Sequence, residues 1–138
     1  MKKIAIVNGI NLGELGTREV DVYGHTDFNS YFEALKQRYP NVELLFFQSN
    51  KVDELADFML QNKDCDGIIL NPGAFTHTSV ILADTIAAIP AKVVEVHISN
   101  LWGRENFRKN SFIASKCCGS LSGFGLAGYE LALFFLTR

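Results

Sequence analysis

Four short apolar runs, each ending on polar residues, limit what this chain can fold into. Lys3-Ile4-Ala5-Ile6-Val7 leads into Asn8-Gly9, and Val42 to Phe47 leads into Gln48-Ser49-Asn50. Gly67-Ile68-Ile69-Leu70 leads into Asn71-Pro72-Gly73, and Val93-Val94-Glu95-Val96 into His97-Ile98-Ser99-Asn100. Runs this short, spaced by segments of helical length, suggest parallel strands buried on both faces. In open α/β sheets, ligands bind beyond the carboxyl ends of the strands. One sheet edge therefore collects amides, hydroxyls and an imidazole, which is the pattern of an active site.

The segments between the runs read as helices. Asp27 to about Tyr39 places Phe28, Tyr31, Phe32 and Leu35 at helical spacing, with Pro40 just past the end. Val52 to Asn62 carries an apolar stripe of Val52, Leu55, Ala56, Met59 and Leu60. A third helix is expected from about His77 to Ile89, stopped by Pro90. After the strand Lys92 to His97, a short helix is expected over Gly103 to Lys109. A last strand near Gly119 to Ser122 and a terminal helix of about Leu126 to Phe135 complete the chain. Five βα units predict a flavodoxin-like, doubly wound parallel sheet with helices on both faces.

At 138 residues the chain has the size of one domain, taken as 1–138. A formal charge of −2 offers no basic field for nucleic acid. The N-terminus runs straight into a strand and no apolar run reaches spanning length, so neither a signal peptide nor a membrane contact is expected. Cys65, Cys117 and Cys118 give neither a disulfide framework nor a zinc spacing, which points to a reducing cytoplasm. His25, His77 and His97 likewise have no metal spacing, and no metal is expected.

Three features point to chemistry. The stretch Asn8 to Thr26 is far longer than the ~4–6 residues usual between elements, and long loops are often lids or binding loops. It carries Asn11, Arg18 and Tyr23, with enough apolar residues to pack onto a surface. Glu95 and His97 are two apart on a strand and so share a face. A glutamate inside an apolar strand is costly to bury unless paired. Paired with His97, it would fix one imidazole tautomer and raise the histidine pKa, preparing a general acid near neutral pH. A purely structural Glu-His pair is the alternative. The third helix has only Asp84 and Thr85 as polar side chains between Val80 and Ile89, the pattern of a helix buried on more than one side. A subunit interface is expected there, with His77 and Asp84 two turns apart on one face. The G-x-G-x-x-G match at Gly123 to Gly128 is discounted as a dinucleotide site. Only ten residues follow it, so no second βα unit and no ribose-binding acid can exist; these glycines predict a tight turn and close packing.

Five collinear motifs carry a family resemblance. They are L-G-T-R-E-x-x-x-Y-G at Leu15 to Gly24, N-P-G-A-F-T-H-T-S at Asn71 to Ser79 and E-V-H-I-S-N at Glu95 to Asn100. R-E-x-F-R at Arg104 to Arg108 and G-F-G-x-x-G-Y at Gly123 to Tyr129 complete the set. Together they cover almost the whole chain and resemble type II 3-dehydroquinate dehydratase. The resemblance implies a flavodoxin-like homododecamer, a tetramer of trimers, that needs no metal or cofactor. It implies removal of water from 3-dehydroquinate to give 3-dehydroshikimate.

Carried over by motif, the resemblance makes Tyr23 the base that takes a proton beside the ketone. A phenol titrates near ~10, so a tyrosinate at pH 7–8 needs roughly 3–4 kcal/mol of stabilisation. Arg18 is the family's candidate for that task and for the enolate charge. Asn11 would position a water on the enolate oxygen. His97, oriented by Glu95, would protonate the leaving hydroxyl. Asn71, His77, Arg108, Ile98 and Ser99 would hold the substrate's hydroxyls and carboxylate, and Asp84 would reach a neighbouring subunit's site.

The chain departs from the family in the first loop. Ile10 and Val20 stand where prolines are usual, Gly13 replaces an asparagine and Glu14 an apolar residue. Each lost proline or gained glycine adds unfolded-chain freedom of about 0.4–1 kcal/mol. An inward Glu14 would oppose both a tyrosinate and an anionic substrate. Tyr23, Arg18 and His97 are all present, so activity is expected. The main rival is a non-catalytic relative that binds a polyol acid or serves as an assembly subunit. An electron carrier ranks lower, because the first loop lacks a hydroxyl-rich phosphate cradle.

Overall fold

The structure, a computed structural model, describes residues 1–9 and 27–138. Five parallel strands form one sheet in the order β2-β1-β3-β4-β5. They are β1 (Lys2–Asn8), β2 (Val42–Gln48), β3 (Gly67–Asn71), β4 (Lys92–His97) and β5 (Gly119–Ser122). The helices are α1 (Phe28–Arg38), α2 (Val52–Gln61), α3 (Val80–Ala88) and α4 (Ala127–Thr137). This is the expected flavodoxin-like order, with helices on both faces. From β1 the chain steps to β2 on one side and later returns to β3 on the other, so β1 and β3 flank the topological switch point. Their last residues, Asn8 and Asn71, are paired there in register.

Two cores follow from strand alternation. Ile4, Ile6, Ile69, Val94 and Val96 pack under α1 and α4, and Ala5, Val7, Ile68, Leu70 and Val93 under α2 and α3. The central strands are buried on both sides, which is why they read as continuous apolar runs. α1 starts at Asp27, whose carboxylate accepts from the Ser30 N–H at 2.8 Å, and it buries Phe28, Tyr31, Phe32 and Leu35 as the spacing predicts. In α2, Leu55, Ala56 and Met59 are buried, but Leu60 is exposed: the stripe rotates past it.

Two expected helices differ. His77 lies on a 3₁₀ turn, Gly73–His77, and not on the helix that follows. Ser79 caps α3 by accepting from the Leu82 N–H at 3.0 Å, so the α-helix begins only at Val80. His77 and Asp84 are therefore not two turns apart on one helix. Within the chain α3 buries Leu82, Ala83, Thr85 and Ile86 on one side, while Val80 and Ile81 are exposed. The helix expected over Gly103 to Lys109 is two 3₁₀ turns, Leu101–Gly103 and Asn106–Lys109. Arg104 has extended backbone and Glu105 a non-helical ψ of 151°, which interrupts the helical bonding.

The glycine motif behaves as turn and packing. Gly123 has φ +96°, a conformation that disfavours a side chain, and its N–H donates to the His97 carbonyl at 3.2 Å. A Cβ on Gly128 would stand 3.2 Å from Val96 Cγ1, so α4 lies directly on β4. At the switch point, a Cβ on Gly9 would collide with the Pro72 carbonyl, and the Gly9 N–H donates to the Asn71 carbonyl at 2.7 Å.

Candidate active site

The centre of the site is a buried carboxylate at the end of β4. Glu95 is 1 % exposed and His97 6 %. Strand alternation puts both on the α3 side of the sheet, and His97 Nε2 lies 2.6 Å from Glu95 Oε2. Three hydroxyls complete the carboxylate's shell. Thr76 donates to Oε2 in a short bond, Ser111 donates to the same oxygen at 3.2 Å, and Ser120 to Oε1 at 3.2 Å. Thr76 comes from the 3₁₀ turn after β3, Ser111 from the segment before β5 and Ser120 from β5 itself.

These contacts decide the charge. Burial pushes the Glu95 carboxyl up, but the bond from His97, the imidazole charge and the Thr76 and Ser111 hydroxyls outweigh it, leaving the pKa below the ordinary carboxylate value. Glu95 is therefore ionised at neutral pH, and an ionised carboxylate only accepts hydrogen bonds. His97 Nε2 must be the donor. Nδ1 is then the ring atom left to exchange a proton with a ligand. Cys117 lies near this carboxylate, and burial, then Glu95 and Cys118, push its thiol up to about 12. It stays a neutral thiol at neutral pH. Among the described residues no group of three or more His, Cys, Asp or Glu could hold a metal ion.

Two clefts meet at Ser111. One, of about 540 Å³, is lined by Ala74, His77, Thr78, Phe107, Asn110, Ser111 and Phe112. His77 Nδ1 lies 2.6 Å from the Asn110 carbonyl, which can only accept, so Nδ1 donates and Nε2 is left for a ligand. The other cleft, of about 480 Å³, is bordered by Glu95, Arg108, Lys109, Ser111, Ser120 and Ser122, among others. Arg108 is paired through Nε with Glu105, three residues earlier, and its guanidinium sits 4.8 Å from the Phe107 ring centre.

Of the remaining sequence-predicted residues, Asn71, Ile98 and Ser99 lie along the same edge. Asn71 is buried at the end of β3 and donates through Nδ2 to the Tyr129 hydroxyl at 2.9 Å. Ile98 is buried, with its carbonyl accepting from the Gly125 N–H at 3.0 Å. The Ser99 hydroxyl accepts from Arg104 at 3.3 Å, and its carbonyl accepts from Ser122 at 3.1 Å. Asp84 is exposed on α3 and borders neither of the two clefts. Asn11, Arg18 and Tyr23, with the departures at Ile10, Gly13, Glu14 and Val20, lie outside the described residues.

Sequence reasoning missed the shell around Glu95. Thr76 stands beside His77 in the Asn71 to Ser79 motif, so its place was signalled but not its partner. Ser111 and Ser120 carry no local pattern: the 3₁₀ turns and the β4–β5 register bring them in. The hydrogen bonds that join Asn8 and Tyr129 to Asn71 were also missed, although the motif ending at Tyr129 marked one of these residues.

The family model described as Dehydroquinase class II matches residues 2–137. A 3-dehydroquinate dehydratase of Caldicellulosiruptor saccharolyticus is 46% identical over 142 residues, covering 100% of this chain and 98% of that protein. One from Bacillus cereus is 49% identical over 141 residues, covering 100% and 97%. The crystal structure of type II dehydroquinase from Butyrivibrio crossotus superposes with a TM-score of 0.95 at 36% identity, over 99% of this chain and 98% of that one. By sequence along its whole length and by fold, this chain belongs to the class II dehydroquinase family.

Proposed function

We infer that this protein is a type II 3-dehydroquinate dehydratase, a hydro-lyase of the shikimate pathway that forms 3-dehydroshikimate through an enolate. The observation that carries the reading is the buried Glu95–His97 pair at the end of β4, in a chain matched to the family over its full length. Tyr23 takes the proton beside the ketone, Arg18 stabilises the phenolate and the enolate, and Asn11 holds a water on the enolate oxygen. His97, held by Glu95 through Nε2, protonates the departing hydroxyl from Nδ1. Asn71, His77, Ile98, Ser99 and Arg108 bind the substrate. Binding through Arg108 requires its guanidinium to serve the substrate carboxylate alongside, or in place of, Glu105. No metal or cofactor takes part. Turnover of 3-dehydroquinate should be unchanged by chelator. Borohydride added with substrate should not inactivate the enzyme, because no lysine forms a Schiff base. Inactivation by borohydride, or loss of activity with chelator, would contradict this chemistry.

The chain acts as one domain over 1–138, in the cytoplasm, as a homododecamer built as a tetramer of trimers. Support for assembly is the exposed apolar side of α3, where Val80 and Ile81 are more than half exposed beside Asp84. Isolated exposed apolar residues are ordinary, but a helix this apolar on both sides asks for a second partner. Covering it would bring Asp84 to the site of a neighbouring subunit. Light scattering should report a particle of about twelve chains (family stoichiometry, with closed symmetry as is usual for homo-oligomers). A monomer at micromolar concentration would contradict the interface.

A further inference from the structure

One polar cluster ties the substrate-binding Asn71 to two residues that have no part in the steps above, Asn8 and Tyr129. Tyr129 on α4 is fully buried, its ring centre 4.9 Å from that of Phe28, and its hydroxyl reaches the switch point between β1 and β3. That hydroxyl donates to Asn8 Oδ1 at 2.8 Å and accepts from Asn71 Nδ2 at 2.9 Å. The direction of this chain is set from one end. The Gly73 main-chain N–H donates to Asn71 Oδ1 at 3.2 Å, and a main-chain N–H cannot become an acceptor. Asn71 must therefore turn its nitrogen to Tyr129. The phenol, with a single proton, must pass it to Asn8, and Asn8 must turn its oxygen inward. What remains is the Asn8 amide nitrogen. Asn8 has no exposed surface, and this nitrogen has no partner among the described residues. A buried donor left unmet is costly, and the position is one where ligands bind in this fold.

We propose that Tyr129 is a positioning residue for the dehydration: by fixing the Asn71 and Asn8 amides it holds Asn8 Nδ2 as a donor to an acceptor oxygen of the bound substrate. The inference rests on the dehydratase reading and adds two residues to it. Tyr129 itself moves no proton to or from substrate. Burial, opposed by the bond from Asn71, pushes its phenol above the ordinary value, so it stays neutral and serves as a directional link.

Tyr129→Phe keeps the ring and removes the link. The KM for 3-dehydroquinate should rise roughly tenfold, the effect of losing one to two hydrogen bonds of ordinary strength, while kcat changes little. A merely structural role would lower thermal stability and leave KM where it was. Asn8→Asp reads the other end of the relay, and alone decides the matter should Tyr129→Phe not fold. It keeps an oxygen for Tyr129 and replaces the amide nitrogen with an oxygen that donates only when protonated. Its KM, relative to the unsubstituted enzyme at the same pH, should be raised at neutral pH and fall back as the pH drops toward the carboxylate range. An unchanged KM in Tyr129→Phe, or a KM ratio in Asn8→Asp that does not move with pH, would overturn the proposal. Either would do so with an active parent enzyme. A parent enzyme with no activity would instead strike the dehydratase reading.

Discussion

Replacing Tyr23 by phenylalanine should collapse turnover of 3-dehydroquinate by roughly 10²–10⁴-fold or more, the usual cost of losing a general base, with little change in substrate affinity. The ring keeps its apolar surface and loses only the group proposed to take the proton. The chain has four tyrosines, and the other three are held away from this task. Burial, with the Glu130 carboxylate adding to it, raises the Tyr31 phenol. The same two causes raise Tyr39, and burial raises Tyr129. A base near neutral pH needs the opposite shift, which a fixed cation supplies, and Arg18 stands five residues before Tyr23. Steady-state kinetics and calorimetric titration of substrate or a stable analogue would separate rate from affinity. Near-normal turnover in Tyr23→Phe would remove the tyrosine from the mechanism.

His97→Ala should lose dehydration to a similar extent, for a different reason. The leaving hydroxyl needs a proton, and His97 Nδ1 is the atom the Glu95 bond leaves available. The substitution also leaves Glu95 buried and ionisable, with Thr76, Ser111 and Ser120 as its remaining side-chain partners among the described residues. Some stability should be lost as well, because removing one partner of a buried pair leaves the other charge uncompensated. Urea unfolding distinguishes that loss from the chemical one. A folded variant with intact turnover would make the Glu95–His97 pair structural only.

How far the sequence alone could go depended on the range of each interaction. The central strands β1, β3 and β4 were legible because burial on both faces writes continuous apolar runs, and α1 because Phe28, Tyr31, Phe32 and Leu35 fall on one helical face. The Glu95–His97 contact was legible because strand alternation puts them on one side at a fixed spacing. His77 was misplaced on α3 because apolar periodicity does not see the cap at Ser79, after which the helix begins at Val80, three residues past His77. The expectation of one helix over Gly103 to Lys109 fails for a related reason: the non-helical backbone at Arg104 and Glu105 leaves no mark in composition. Ser111, Ser120 and the Asn8–Tyr129–Asn71 chain join residues far apart in sequence, and only the sheet order brings them together. The family motifs located Asn71 and Tyr129 without revealing that they touch.

The division of labour between Tyr23 and His97 is best tested in heavy water. In the proposed mechanism enolate formation needs Tyr23 and Arg18 but not His97, so His97→Ala should exchange the abstracted proton of 3-dehydroquinate for deuterium, seen by nuclear magnetic resonance. It should do so while the ultraviolet band of the conjugated enone product fails to grow. Tyr23→Phe should show neither exchange nor enone. Exchange that vanishes equally in both variants would contradict a stepwise reaction with the base on the first loop and the acid on β4.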